Sequence, residues 1–244
     1  MAKHALDLGV STGDSIRRRN AAQQNRIGKS QKRCRRIGRA AKVDKKSRNL
    51  ITAGARPQME FGASCCGTAP KQINAMRRNI ILGLNNMGYK PCSATMVAWN
   101  LGMTADPWIK VPMRQVQSYL RIWKDASDGV KRRMDKEWQM ANDLTKSGQL
   151  MWNDVIGPVW ATVAYLHMAG WNTNNARRWM SAKGKAYVLC ELNCCLTAML
   201  SDEWQDCVGQ GEHAYEWQGS SERHSVLPRG AKCLQLALSK RYAE

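Results

Sequence analysis

Between Arg17 and Arg48 the chain reads RRRNAAQQNRIGKSQKRCRRIGRAAKVDKKSR. Fourteen of these residues are cations: Arg17, Arg18, Arg19, Arg26, Lys29, Lys32, Arg33, Arg35, Arg36, Arg39, Lys42, Lys45, Lys46 and Arg48. One acidic residue, Asp44, stands among them. Guanidinium and ammonium groups donate charge-assisted hydrogen bonds to phosphate oxygens, and release of condensed counterions drives the association. The chemistry on offer is capture of a nucleic-acid backbone, without bond making. Arg77 and Arg78 add a smaller basic pair. No aromatic residue falls between Arg17 and Leu50, so base stacking is not expected inside the run.

Other groups offer weaker constellations. Cys190, Cys194, Cys207 and His213 follow a Cys-x3-Cys-x12-Cys-x5-His spacing that could hold one zinc ion. Leu189, Leu192 and Leu196 surround it, and small thiols inside a buried helix are the preferred reading. Asp202, Glu203, Asp206 and Glu212 read as a solvated helix face, since no recognisable strands carry them towards a nuclease metal site. Gly209 to Ala214 matches a dinucleotide fingerprint only in its letters. His167, between Leu166 and Met168, reads as a structural histidine. Cys65 and Cys66 read as structural thiols. Trp152, Trp160, Trp171 and Trp179 read first as core, and second as a surface for a protein partner. No catalytic residue and no cofactor is expected.

The elements that must carry these groups follow from composition and periodicity. The chain has 244 residues, 43% of them hydrophobic, which permits a sizeable core. Its net charge of +19 and pI near 9.9 imply salt-dependent attraction to polyanions. No apolar run approaches the ~20 residues needed to span a bilayer, and the N-terminus does not read as a secretory signal. Nine cysteines, an odd number with two adjacent pairs, do not read as a disulfide framework. An intracellular location, nuclear or cytoplasmic, is the expectation, with no membrane partner.

Ile16, Ile27, Cys34, Ile37 and Ala41 recur at separations built from three and four, which places them on one side of a helix and the cations on the others. Gly28 and Gly38 each cost a helix roughly 1 kcal/mol relative to Ala, so this helix is expected to bend or break. His4 to Val10 reads as a strand turning at Gly9, with Ser11, Thr12 or Ser15 capping the basic helix. Pro57 to Gly67 reads as an interruption leading into a loop. Thr68 then caps a helix carrying Ile73, Met76, Ile80, Leu84 and Met87, stopped by Gly88.

Further helices are expected after Asp106-Pro107, over Val130 to Leu144, and from Gly157-Pro158 to Gly170. Ala186 to Cys190 reads equally as strand or helix, Gly209 to Arg223 as loop, and Ala231 to Tyr242 as a last helix. The fold class expected is mainly α with a short strand or two: a basic helical region over residues 1–90, a Trp-rich helical bundle over 91–182, and a segment 183–244 of undecided fold.

Leu8-Gly9-Val10, the basic run from Arg17, Pro57 with Phe61-Gly62, and Ile73 with Met76-Arg77-Arg78 stand in an order and spacing that resembles the region after the palm in non-LTR retrotransposon reverse transcriptases. Asp7 and Phe61 depart from that family's usual aromatic and Tyr. The family's palm needs an adjacent Asp pair, and this sequence contains none. The resemblance therefore implies a thumb-like piece without its own polymerase site, for which a palm would be supplied in trans. It implies a grip on template–primer duplex, which makes RNA, DNA or an RNA–DNA hybrid the expected partner. The competing readings are a protein-interaction or structural helical protein with a basic nuclear-import segment, and a decayed retroelement reading frame without function.

Overall fold

The computed structural model describes residues 4–7, 10–13, 16–84, 93–181 and 184–188, with side chains from residue 21 onward. The protein is mainly α-helical with short antiparallel strands. It opens on a hairpin of β1 (His4–Asp7) and β2 (Val10–Gly13), with His4 opposite Gly13 and Asp7 opposite Val10. Ser11 and Thr12 are thus strand residues and not helix caps.

Helix α1 (Ile16–Ala40) runs unbroken through Gly28 and Gly38, against the expected bend or break. Packing overrides the glycine cost, because Ile27, Cys34, Ile37 and the following Ala41 are all buried, largely against α4 (Pro70–Leu84). Gly83 lets the two layers approach. A Cβ there would lie 2.9 Å from Ile51 Cδ1.

After α1 come a 3-10 turn Lys45–Arg48, a π-helical turn Ile51–Ala55, α2 (Arg56–Glu60) and α3 (Ala63–Cys66), so the interruption expected over Pro57 to Gly67 is largely helical. Asp44 accepts from the Lys46 N–H at 2.9 Å and so caps the first turn. Side chains of α1 donate to carbonyls of this segment. Gln23 donates to the Met59 carbonyl, Arg26 to Phe61 (3.1 Å), Ser30 to Ala55 (2.9 Å) and Arg33 to Gly54 (3.3 Å). Leu50 is exposed, and Ile51 beside it is buried.

Thr68 is not the cap of α4. Ala69 precedes Pro70, and its N–H donates to Gln72 Oε1 at 3.2 Å, half of a capping box. Thr68 is held by its backbone: its N–H donates to Tyr165 Oη (2.8 Å) and its carbonyl accepts from the same hydroxyl (2.7 Å). Gly67, just before it, has φ 74° and ψ 170°, a region open to glycine almost alone. A Cβ at that position would lie 2.7 Å from the Ala161 Cβ.

The second half is α5 (Ser93–Leu101), α6 (Pro107–Asp125), α7 (Asp128–Lys146) and α8 (Gly157–Met168), joined by 3-10 turns at Met103–Ala105 and Trp152–Asp154. The expected starts at Asp106-Pro107 and Gly157-Pro158 are present, and Asp106 caps α6 by accepting from the Trp108 N–H. Helix α8 is buried from Val159 to Leu166, with α6, α7 and α3 packed around it.

Beyond α8 lies an antiparallel sheet in the order β3 (Asn172–Asn175), β4 (Arg178–Met180), β5 (Ala186–Val188). The undecided Ala186 segment is therefore a strand. Trp138 and Trp179 stack at 5.6 Å, Tyr119 tilts against both, and Trp138 Nε1 donates to the Thr173 carbonyl at 2.7 Å, tying the sheet to α6 and α7. The buried residues form one continuous cluster from Ile27 to Tyr187. The expected helix end at Met87-Gly88, the loop 209–223 and the last helix 231–242 lie outside the described residues.

Tyr165→Phe removes one hydroxyl and strands two buried backbone groups of Thr68. A loss on the order of 1–3 kcal/mol per stranded group is expected in urea denaturation. Gly67→Ala adds a strained φ of about 1–3 kcal/mol and a collision with Ala161, so a clear fall in thermal midpoint is expected.

Candidate nucleic-acid interface

The packing of α1 sorts its cations. Residues 23, 27, 30, 34 and 37 face inward, and Arg26 and Arg33, seven apart, form the row bonded to carbonyls of the 54–61 segment. Lys29 and Arg36, Lys32 and Arg39, and Arg35 share the opposite face, and all five are exposed. Their span of ten residues covers about 15 Å. Helix α1 contains no acidic residue, and among the described residues none of the five is ion-paired. Lys42, Lys45 and Lys46 extend the basic surface past the helix end and are also exposed. Asp44, the one carboxylate in the run, is engaged with backbone.

The remaining predicted phosphate ligands divide. Arg48 is half-buried and donates to Asn100 Oδ1 at 3.3 Å. Arg78 is exposed beside α1, lining a cavity of about 610 Å³ with Gln24, Gly28 and Gln31. Arg77 leaves the candidate set. Its Nε and Nη2 donate to the two carboxylate oxygens of Asp106 at 3.0 and 2.7 Å, and both side chains are buried. A guanidinium clamped this way inside the fold does not reach a phosphate at the surface. The side chains of Arg17, Arg18 and Arg19 lie outside the described residues, as do Cys190, Cys194, Cys207 and His213 of the zinc spacing.

Among the described residues no group of three or more His, Cys, Asp or Glu is placed to hold a metal ion. Burial pushes the Cys34 thiol pKa up, with a Ser30 hydrogen bond and Arg33 opposing, so this thiol is a packing residue. Burial likewise lowers the pKa of half-buried His167, favouring neutral imidazole. Trp160 and Trp171 are core residues, which removes them as anchors for a protein partner, and Trp160 Nε1 donates to Glu137 at 2.5 Å. Among the described residues the largely exposed tryptophan is Trp99 on α5.

A feature that sequence reasoning missed is a cleft of about 420 Å³ between residues 60–64 and α6. Arg114, Gln117, Ser118 and Arg121 line it at helical spacing, the polar counterpart of the apolar stripe Met113, Val116, Leu120. That spacing was the available signal. Glu60 lies in its wall, accepting from Arg114 Nη1 at 2.6 Å. Burial raises the Glu60 pKa against the pull of Arg114, Arg56 and Lys110. Phe61, half-exposed, lies at the cleft with the Arg26 guanidinium over its ring at 5.1 Å.

No protein-family model matches the chain, and no curated protein or solved structure matches it. Among the described residues no helix is long and apolar enough to cross a membrane.

The two kinds of arginine should separate cleanly. Arg77→Ala leaves Asp106 buried without its partner and is expected to cost about 3–5 kcal/mol of stability. Arg35→Gln, at an exposed position, should leave the denaturation midpoint within about 0.5 kcal/mol of wild type. Paired urea melts of the two variants check this.

Proposed function

We propose that this protein binds nucleic-acid backbones without sequence specificity, gripping RNA or an RNA–DNA hybrid along the outer face of α1. The observation that carries the reading is the set Lys29, Lys32, Arg35, Arg36 and Arg39: exposed and without acidic partners among the described residues, on a helix whose inner face is anchored in the core. Cations on a rigid helix are held in register, so less ordering entropy is lost on binding than for a disordered arm. The interactions available are with phosphates, which position a duplex but carry no base information.

The resemblance of residues 8–78 to the post-palm region of non-LTR reverse transcriptases supports a retroelement origin, with this chain acting as a thumb-like grip. A polymerase palm supplied in trans is the partner that goes with that origin.

Fluorescence anisotropy of a labelled RNA–DNA hybrid at several salt concentrations tests the grip. Wild type should bind with a steep negative dependence of log affinity on log salt. A variant with Lys32, Arg35, Arg36 and Arg39 changed to Gln should bind more weakly, with the slope shallower by up to about 0.9 for each phosphate no longer neutralised. An unchanged slope would remove α1 from the interface.

A further inference from the structure

We infer that the cleft between residues 60–64 and α6 receives one unpaired nucleotide of the strand held by α1, its base against Phe61 and its phosphate on Arg114 and Arg121. This rests on the backbone-binding reading and adds a second function, discrimination of strand ends or gaps from continuous duplex.

Four observations meet here. First, the cleft adjoins the basic helix: Arg26 of α1, one turn before Lys29 at the edge of the outer face, donates to the Phe61 carbonyl at 3.1 Å and lies over its ring, so a strand crossing from Lys29 past Arg26 reaches the cleft. Second, Phe61, just past the end of α2, is 49% exposed. A half-exposed ring fixed by a guanidinium on one side offers its remaining surface to a base, and every base has a π-face to stack.

Third, the local charge favours phosphate. Arg56, Lys110 and Arg114 all act on one carboxylate, Glu60, and Arg121 adds a further exposed cation at the cleft. Fourth, Glu60 is an incompletely satisfied buried acceptor. Its side chain is 1% exposed, Oε2 accepts from Arg114, and Oε1 lies 3.4 Å from Arg56 Nε without a hydrogen bond. Glu60 therefore holds Arg114 at the cleft, while Gln117 and Ser118, which line it, can donate to or accept from a base edge. A volume of about 420 Å³ lies in the range of small-ligand pockets.

The test compares three labelled hybrids by anisotropy: blunt, carrying one unpaired nucleotide at either end, and carrying an abasic residue in its place. The readout is the ratio of overhang to blunt affinity within each protein, so that effects on the shared phosphate grip cancel. Wild type should prefer the overhang about fivefold or more, as expected for one stacked base. The abasic hybrid should lose most of that gain. Phe61→Ala should bring the ratio near one, and Phe61→Tyr should preserve it.

A ratio near one in wild type, an equal gain with the abasic residue, or an unchanged ratio in Phe61→Ala overturns the inference while leaving the backbone grip standing. Failure to bind the blunt hybrid overturns the grip itself. A free nucleoside monophosphate that binds as tightly as the overhang adds would overturn the strand as the source of the nucleotide.

Discussion

The architecture of the first half depends on one exchange of hydrogen bonds. Residues 49–60 form one helical run with a π-helical turn at Ile51–Ala55, and this run and Phe61 beyond it present carbonyls to α1. Gln23, Arg26, Ser30 and Arg33, three or four residues apart on α1, donate to Met59, Phe61, Ala55 and Gly54. The two helical segments run past each other in opposite directions. Asn79 of α4 adds a bond to the Ile27 carbonyl at 3.0 Å, so α1 is tied to both neighbours by polar as well as apolar interactions.

That exchange has an electrostatic consequence. A chain of net charge +19 repels itself when compact, and cations crowded on one helix concentrate the repulsion. The fold lowers it by directing Arg26 and Arg33 to carbonyls and Arg77 to Asp106, each within a local dipole or ion pair. The cations left outward on α1 are those that no neighbouring element uses. Their exposure is a consequence of where α1 is anchored, and it is the property a phosphate backbone would exploit.

The second half is held by aromatic packing. Tyr119, Trp138 and Trp179 come from α6, α7 and β4 and meet within 6 Å of one another, so a three-residue strand is fixed to two long helices. Trp171 and Tyr187 stack at 5.2 Å between the end of α8 and β5. Tyr165 reaches the other way, from α8 to the backbone of Thr68, and makes the two halves share one core. The tryptophans that sequence left open as a binding surface are committed to this task, because large rings bury more area than any alternative side chain.

Amphipathic periodicity determined α1, α4, α6 and α7 and the inward stripe Ile27, Cys34, Ile37, since a 3.6-residue repeat is a local property of the chain, while the Gly157-Pro158 start and the Gly170 stop marked out α8, which is buried on all sides. Composition likewise determined that the surface would be strongly basic. Only tertiary structure decided that α1 would run through Gly28 and Gly38, because packing against α4 outweighs a local propensity cost. It alone decided that residues 51–66 would be largely helical, with carbonyls that accept from side chains of α1. It also separated Arg77 from Arg78, adjacent in sequence but about 100° apart around a helix, one facing Asp106 and the other solvent. The cleft beside Phe61 belongs to the same class. Its polar row on α6 is visible in sequence, but a cavity exists only where two distant segments fail to close, and no local pattern encodes that.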